Sequence, residues 1–129
     1  MDQVVSNSNL LLASLAPDDY ALLRPHLTQV RLEPEAVLQE AQEPIAHVYF
    51  PLEGMVSFLA NMKTGEAIET AAIGREGAIG TKVGLQPQRA FARAVVQLPG
   101  NALRIEIDKF QEAARQSLAI THLAPAQTT

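Results

Sequence analysis

The chain is 129 residues long, contains no cysteine and carries a formal net charge of −4. This length suits one globular domain, because single domains commonly have about 100–150 residues. Without cysteine there is no disulfide, no thiolate metal site and no cysteine nucleophile. Ten Lys and Arg residues are scattered among fourteen Asp and Glu residues, which argues against nucleic-acid binding through this chain, since phosphate affinity comes from clustered cations.

The longest strongly apolar run, Leu10–Ala16, is too short to cross a membrane, because a spanning helix needs about 20 apolar residues. No Lys or Arg precedes this run, so it lacks the positive region of a secretory signal. We therefore expect a cytoplasmic protein with no membrane contact.

Leucines near the N-terminus predict two short helices that share an apolar face. The second helix is expected from Pro17 to Arg24 after a turn at Ala16, because proline is tolerated in a first helical turn and Pro25 discourages continuation. The leucines of this face are Leu10, Leu11, Leu15, Leu22, Leu23 and Leu27. Residues 1–8 are expected to be a flexible N-terminus.

Between Leu27 and Ile107 the sequence consists of short β-prone runs separated by turns. Turn chemistry occurs at Pro51–Gly54, Lys63–Glu66 and Leu98–Asn101, and the second of these is typical of a hairpin tip. The predicted strands lie near residues 30–32 and 37–38, and at 45–50, 55–60, 67–73, 92–97 and 102–107. Strands of this number and length predict an antiparallel jelly roll.

The segment Asp108–Gln116 predicts a short helix with Asp108 as its N-cap. Few apolar residues follow, and Pro125 lies among them, so residues 117–129 are expected to form a disordered tail. The folded domain is accordingly predicted to span residues 9–116.

Several segments, taken in order, carry a resemblance to a known family: Leu15–Tyr20, His47–Gly54, Gly65 at a hairpin tip, Ile73–Gly80, and a late strand ending in Phe110. In their spacing they resemble the N-terminal effector domain of the Crp-Fnr transcription regulators, over the range from Leu10 to Phe110. The resemblance implies a mainly β fold with flanking helices, an antiparallel double-stranded β-helix of the cyclic-nucleotide-binding type. It also implies ligand sensing without catalysis.

The resemblance identifies two candidate ligand-binding segments. In members that bind cyclic AMP or cyclic GMP, a Gly-Glu run opens a short helix whose N–H groups face the phosphate, and an Arg followed by Ser or Thr neutralises it. The matching residues are Gly74, Arg75, Glu76, Gly77, Ala78, Ile79 and Gly80 in the first segment, and Arg89, Ala90 and Phe91 in the second.

The candidate residues depart from the family's binding pattern. In the two registers that the glycines allow, Ala78 or Arg75 takes the place of the ribose-binding Glu. In the second segment, Ala90–Ala92 replaces Arg-Ser-Ala, and Arg89 lies one residue early. We therefore assign no cofactor, keep a cyclic nucleotide as the candidate that the resemblance implies, and expect its usual binding mode to be lost.

Full-length members of the family continue into a dimerisation helix and a helix-turn-helix. The 19 residues after Phe110 are too few for these elements, so we expect no DNA binding through this chain and a weakened homodimer. A small-molecule effector is the remaining expected partner.

Two alternatives remain open. A jelly roll also suits a cupin-like metal-dependent enzyme, but His26, His47 and His122 lie far apart in sequence without metal-ligand spacing, and no catalytic motif occurs. We therefore expect no enzymatic activity. The second alternative is a ligand-free jelly roll that works through protein contacts.

Overall fold

The computed structural model describes residues 8–82, 84 and 88–123. Each of the seven predicted β-prone runs is a strand in this structure, so the strand predictions are confirmed. The strands are β1 Thr28–Leu32, β2 Val37–Gln39, β3 His47–Pro51, β4 Met55–Asn61, β5 Ala67–Ile73, β6 Arg93–Leu98 and β7 Gly100–Glu106.

The strands form two antiparallel sheets. One sheet has the order β1-β7-β3 and the other has the order β2-β6-β4-β5. Strands β4 and β5 form the predicted hairpin, and Gly65 at its tip has a φ of +92°, a conformation that glycine adopts without strain. This topology confirms the expected jelly-roll-like sandwich.

An inter-sheet core fills the space between the two sheets. Alternate residues of a strand point to opposite faces, so Tyr49 and Ala102 of the three-stranded sheet meet Val56, Phe58 and Val96 of the four-stranded sheet. The buried members are Leu32, Tyr49, Val56, Phe58, Ile79, Ala92, Ala94, Val96 and Ala102.

Helices cover the other face of the three-stranded sheet and form a helical-side core with it. They are α1 Leu10–Ala13, α2 Pro17–Leu23, a 3₁₀ helix Arg24–His26, α3 Ile107–Gln116 and α4 Leu118–Thr121. The buried members of this core are Leu12, Leu23, Val48, Phe50, Ala78, Leu103, Ile105, Phe110, Ala113, Ala114, Ile120 and Leu123. No helix in the described ranges is long and apolar enough to span a membrane.

Two details of the predicted helices are wrong. Leu10, predicted on the apolar face, is 47% exposed, whereas Leu12 is buried, because the single turn of α1 directs Leu12 inward. Asp108 is not the N-cap: α3 begins at Ile107, Glu106 is the N-cap residue, and Asp108 lies in the first turn. There its charge still complements the positive end of the helix dipole.

The predicted disordered tail is also wrong for residues 117–123. Ser117 caps α4 by accepting a hydrogen bond from Ile120 N at 3.1 Å, and its hydroxyl donates to Asp19 Oδ1 at 2.8 Å. Ile120 is fully buried, so α4 belongs to the helical-side core. Residues 124–129, and residues 1–7 of the predicted flexible N-terminus, lie outside the described residues.

Candidate functional site

Both predicted ligand-binding segments attach to the stretch of chain from Gln42 to Tyr49. Ile79 of the first segment exchanges two 2.9 Å backbone hydrogen bonds with Tyr49, and Ala90 N of the second donates to Glu43 O at 2.9 Å. Lys82 Nζ then donates to Arg89 O at 2.8 Å. The structure therefore brings the end of the first segment beside the second segment.

The beginning of the first segment is a turn held against α1, away from this junction. Gly77 N donates to Gly74 O at 3.2 Å, and Gly74 N donates to the Glu76 carboxylate, with both oxygens at 3.2 Å. Leu10 N donates to Arg75 O at 2.8 Å. Glu76 therefore stabilises its own turn, and the exposed Arg75 side chain makes no hydrogen bond or ion pair with any described residue.

The middle of the first segment belongs to the protein core. Ala78 is 8% exposed and lies in the helical-side core, whereas Ile79 is fully buried in the inter-sheet core. A ribose-binding carboxylate at position 78 would be buried among apolar side chains, which is costly. This apolar surrounding disfavours the register in which Ala78 takes the place of the Glu.

The chain leaves the strand pairing at Gly80. This residue has a φ of +91°, and an added Cβ would lie 2.6 Å from His47 O, so both conformation and close approach require glycine. Residues 74–82 contain no helix, so the expected helix N-terminus is not formed there.

Sequence reasoning missed the residues that follow Gly80. After Gly80 the chain no longer pairs with β3. This favours a register in which Thr81, which is 3% exposed, follows Gly80 in the place of the family's Glu. The polar pair Thr81 and Lys82 after a glycine was a signal for this register. This signal can be interpreted only when the bridge between Ile79 and Tyr49 is known.

The second segment presents cations but no open phosphate cradle. Arg89 Nη1 donates to Gln42 O at 2.9 Å, and Lys82 Nζ lies 5.8 Å from the centroid of the exposed Phe91 ring. Ala90 is 2% exposed, so an Arg side chain has no space there. Neither Lys82 nor Arg89 forms an ion pair with a described residue, and both charges remain available to an anion.

The histidines do not assemble a metal centre in the part of the chain that the structure describes. His26 and His47 line a common cleft with Arg104, Glu106 and Lys109, but no group of three or more His, Cys, Asp and Glu side chains is placed to hold a metal ion there. Burial lowers the pKa of His47, nearby Arg104 lowers it further, and Glu106 opposes them. The metal-dependent enzyme alternative gains no support from this geometry.

No protein-family model matches the sequence, and no curated protein sequence is significantly similar to it. Solved structures, in contrast, share its fold. A cyclic nucleotide-binding domain from Methylobacillus flagellatus superimposes with a TM-score of 0.73 at 12% identity, over 95% of this chain and 72% of that one.

Two further structures extend this likeness. The sensor domain of the transcriptional regulator DNR from Pseudomonas aeruginosa has a TM-score of 0.71 at 17% identity, over 94% of this chain and 81% of that one. The regulatory domain of Toxoplasma gondii PKA, co-crystallised with cAMP, has a TM-score of 0.70 at 16% identity, over 87% of this chain and 45% of that one. The chain therefore has the fold of cyclic-nucleotide-binding domains and of regulator sensor domains, as the resemblance implied.

Proposed function

We propose that this chain is the effector-sensing domain of a Crp-Fnr-type transcription regulator and that it acts by binding, without catalysis. The fold shared with a regulator sensor domain supports this role. The junction of the two candidate segments supports it as well, because Lys82 and Arg89 present uncompensated charge there. An effector at this junction regulates by binding one of two conformations more tightly than the other.

We further propose that this domain does not hold cyclic AMP or cyclic GMP in the family's usual mode. Thr81 carries this proposal, because in the register that Gly80 favours it stands where the family has the ribose-binding Glu, and its side chain has no carboxylate. Glu76 is held by Gly74 N, and Ala90 is buried. The usual ribose acceptor and phosphate-binding Arg therefore have no counterparts at these positions, and the two cations favour a different anionic effector.

The remaining partners follow from the same proposal. A second copy of the chain is the expected protein partner, and nucleic acid is not contacted by this domain, whose formal net charge is −4. The cytoplasm is the proposed location.

A thermal-shift titration with cyclic AMP, cyclic GMP and cyclic di-GMP tests the proposed loss of nucleotide binding. A ligand at 100 times its Kd stabilises a fold by about 2.7 kcal/mol, which corresponds to roughly 10 °C in Tm for a domain of this size. We expect no saturable shift. A shift that Arg89→Ala abolishes and the exposed control Arg31→Ala retains would overturn the proposal.

The effector-sensing role is tested with the same readout and a panel of organic acids, sugar phosphates and nucleotides. A saturable shift that is lost in Lys82→Gln and Arg89→Ala, but retained in Arg31→Ala, is the expected result. No stabilisation by any member of the panel would overturn the sensing role and favour the protein-interaction alternative.

A further inference from the structure

A cleft of about 230 Å³ opens beside the three-stranded sheet and shares no lining residue with the two candidate segments. Strands β1, β3 and β7, the 3₁₀ helix and the start of α3 contribute to it. Its lining residues are His26, Thr28, His47, Arg104, Glu106 and Lys109.

Strand register explains why these polar side chains converge. Thr28 pairs with Arg104, and His47 pairs with Glu106. Positions two apart on a strand share a face, so His47 lies on the same face as Tyr49 of the inter-sheet core, and their rings meet edge to face at 6.1 Å. The cleft therefore lies on the same face of the three-stranded sheet as the inter-sheet core, at the end where this face carries polar side chains.

The charges in the cleft are unbalanced. Four basic side chains, from His26, His47, Arg104 and Lys109, surround the single carboxylate of Glu106. Within the described residues, neither Arg104 nor Lys109 has a side-chain hydrogen bond or an ion pair. The half-buried Arg104 guanidinium therefore offers its planar set of N–H donors to the cleft.

Burial and the Arg104 charge both disfavour a proton on the His47 imidazole. Its pKa is lowered first by burial and then by Arg104, and the Glu106 carboxylate opposes these effects without reversing them. An anion bound in the cleft beside Arg104 would offset the Arg104 charge that lowers this pKa.

We propose that this cleft binds a small oxyanion of the phosphate class, with the Arg104 guanidinium as its principal contact. His26, His47 and Lys109 supply further donors around it. The volume of about 230 Å³ lies below the roughly 300–1,000 Å³ of sites for drug-sized ligands, so it suits a phosphate group carrying few other atoms. The site shares no residue with the proposed effector site, so either can fail without the other.

Nuclear magnetic resonance of the full chain tests this site, with inorganic phosphate titrated against sodium chloride at constant ionic strength and pH. The imidazole resonances of His26 and His47 are expected to move saturably, while those of His122, outside the cleft, do not follow the titration. Equal movement of all three, or movement that never saturates, would overturn the proposal.

Three variants sharpen the test. Arg104→Gln is expected to weaken phosphate binding by about tenfold or more, because it removes the charged fork. Arg31→Gln removes the same charge from an exposed position of β1 outside the cleft and should leave the affinity within about twofold. Glu106→Gln should strengthen binding by removing the opposing charge, so unchanged affinity in this variant refutes the site even if Arg104→Gln fails to fold.

Glycerol phosphate separates the two sources of the anion. Tighter binding than that of inorganic phosphate, with the same dependence on Arg104, identifies a phosphorylated metabolite as the ligand class. Equal or weaker binding identifies free phosphate.

Discussion

Asn9 links α1 to two other parts of the fold through one fully buried side chain. Its Nδ2 donates to Pro51 O at 2.8 Å and to Gly77 O at 3.0 Å. Its Oδ1 accepts hydrogen bonds from Leu11 N and Leu12 N, both at 3.1 Å. The same amide therefore caps a helix and fixes the first candidate segment against β3.

We expect Asn9→Ala to lower the free energy of unfolding by about 3 kcal/mol, from about 1 kcal/mol for the lost cap and about 1 kcal/mol for each carbonyl left without its partner. Asn9→Asp separates these contributions. Asp is as good an N-cap as Asn, but its carboxylate has no donor for the carbonyls of Pro51 and Gly77. We therefore expect Asn9→Asp to lose at least as much stability as Asn9→Ala.

Urea denaturation measures these losses, and a loss of about 3 kcal/mol corresponds to roughly 10 °C in Tm. Asn61→Ala is the matched control, because Asn61 is exposed at the end of β4 and its replacement should change stability by less than about 0.5 kcal/mol. The reasoning is refuted if the free energy of unfolding of Asn9→Asp stays within about 0.5 kcal/mol of that of the unchanged protein. The cap would then be sufficient, and the two hydrogen bonds donated by Asn9 would contribute nothing measurable.

Further outcomes follow from other positions. In urea denaturation, Gly80→Ala should lower the free energy of unfolding by about 2 kcal/mol or more, because the positive φ is strained and the new Cβ would lie 2.6 Å from His47 O. Gly65→Ala, with a similar φ but nothing within 4 Å, should lower it by about 1 kcal/mol. Equal losses in the two variants would contradict this. Because folding lowers the pKa of His47 below its ordinary value of 6.5, the unfolded chain binds that proton more readily, so stability falls as the pH drops below 6.5, and His47→Gln should flatten this slope in denaturation curves taken across that range. Ile120→Ala should lower the free energy of unfolding by about 3 kcal/mol, while Leu118→Ala, at a position 71% exposed on the same helix, should change it by less than about 0.5 kcal/mol; a loss at both positions would argue against the described burial of α4.

The sequence predicted the strands well because their pattern is local. Alternation of apolar residues and the glycine and proline turns identify each run without knowledge of its neighbours. The boundary after β7 was harder, because Ile107 continues the strand alternation of Leu103 and Ile105 and also starts a helical spacing with Phe110. Only the structure decides between the two periods.

The missed features depend on contacts between distant residues. Ser117 and Asp19 are 98 positions apart, so nothing near Ser117 in the sequence indicates that α4 is ordered. Likewise, Ala78 and Ala90 stand in segments whose glycines and arginines suggest a ligand site, yet both are buried. Small apolar residues fit a ligand-binding loop or a protein core equally well. The backbone hydrogen bonds of Ile79 with Tyr49 and of Ala90 with Glu43 place these alanines in the protein interior.

The two cores differ in how much of the chain they require. The inter-sheet core draws on residues 32–102, whereas the helical-side core draws on residues 12–123. Because synthesis proceeds from the N-terminus, a nascent chain can close the first core while the outer face of the three-stranded sheet still lacks α3 and α4. That face, which includes Val48 and Phe50, then remains an exposed apolar surface on the nascent chain until α3 and α4 emerge and cover it.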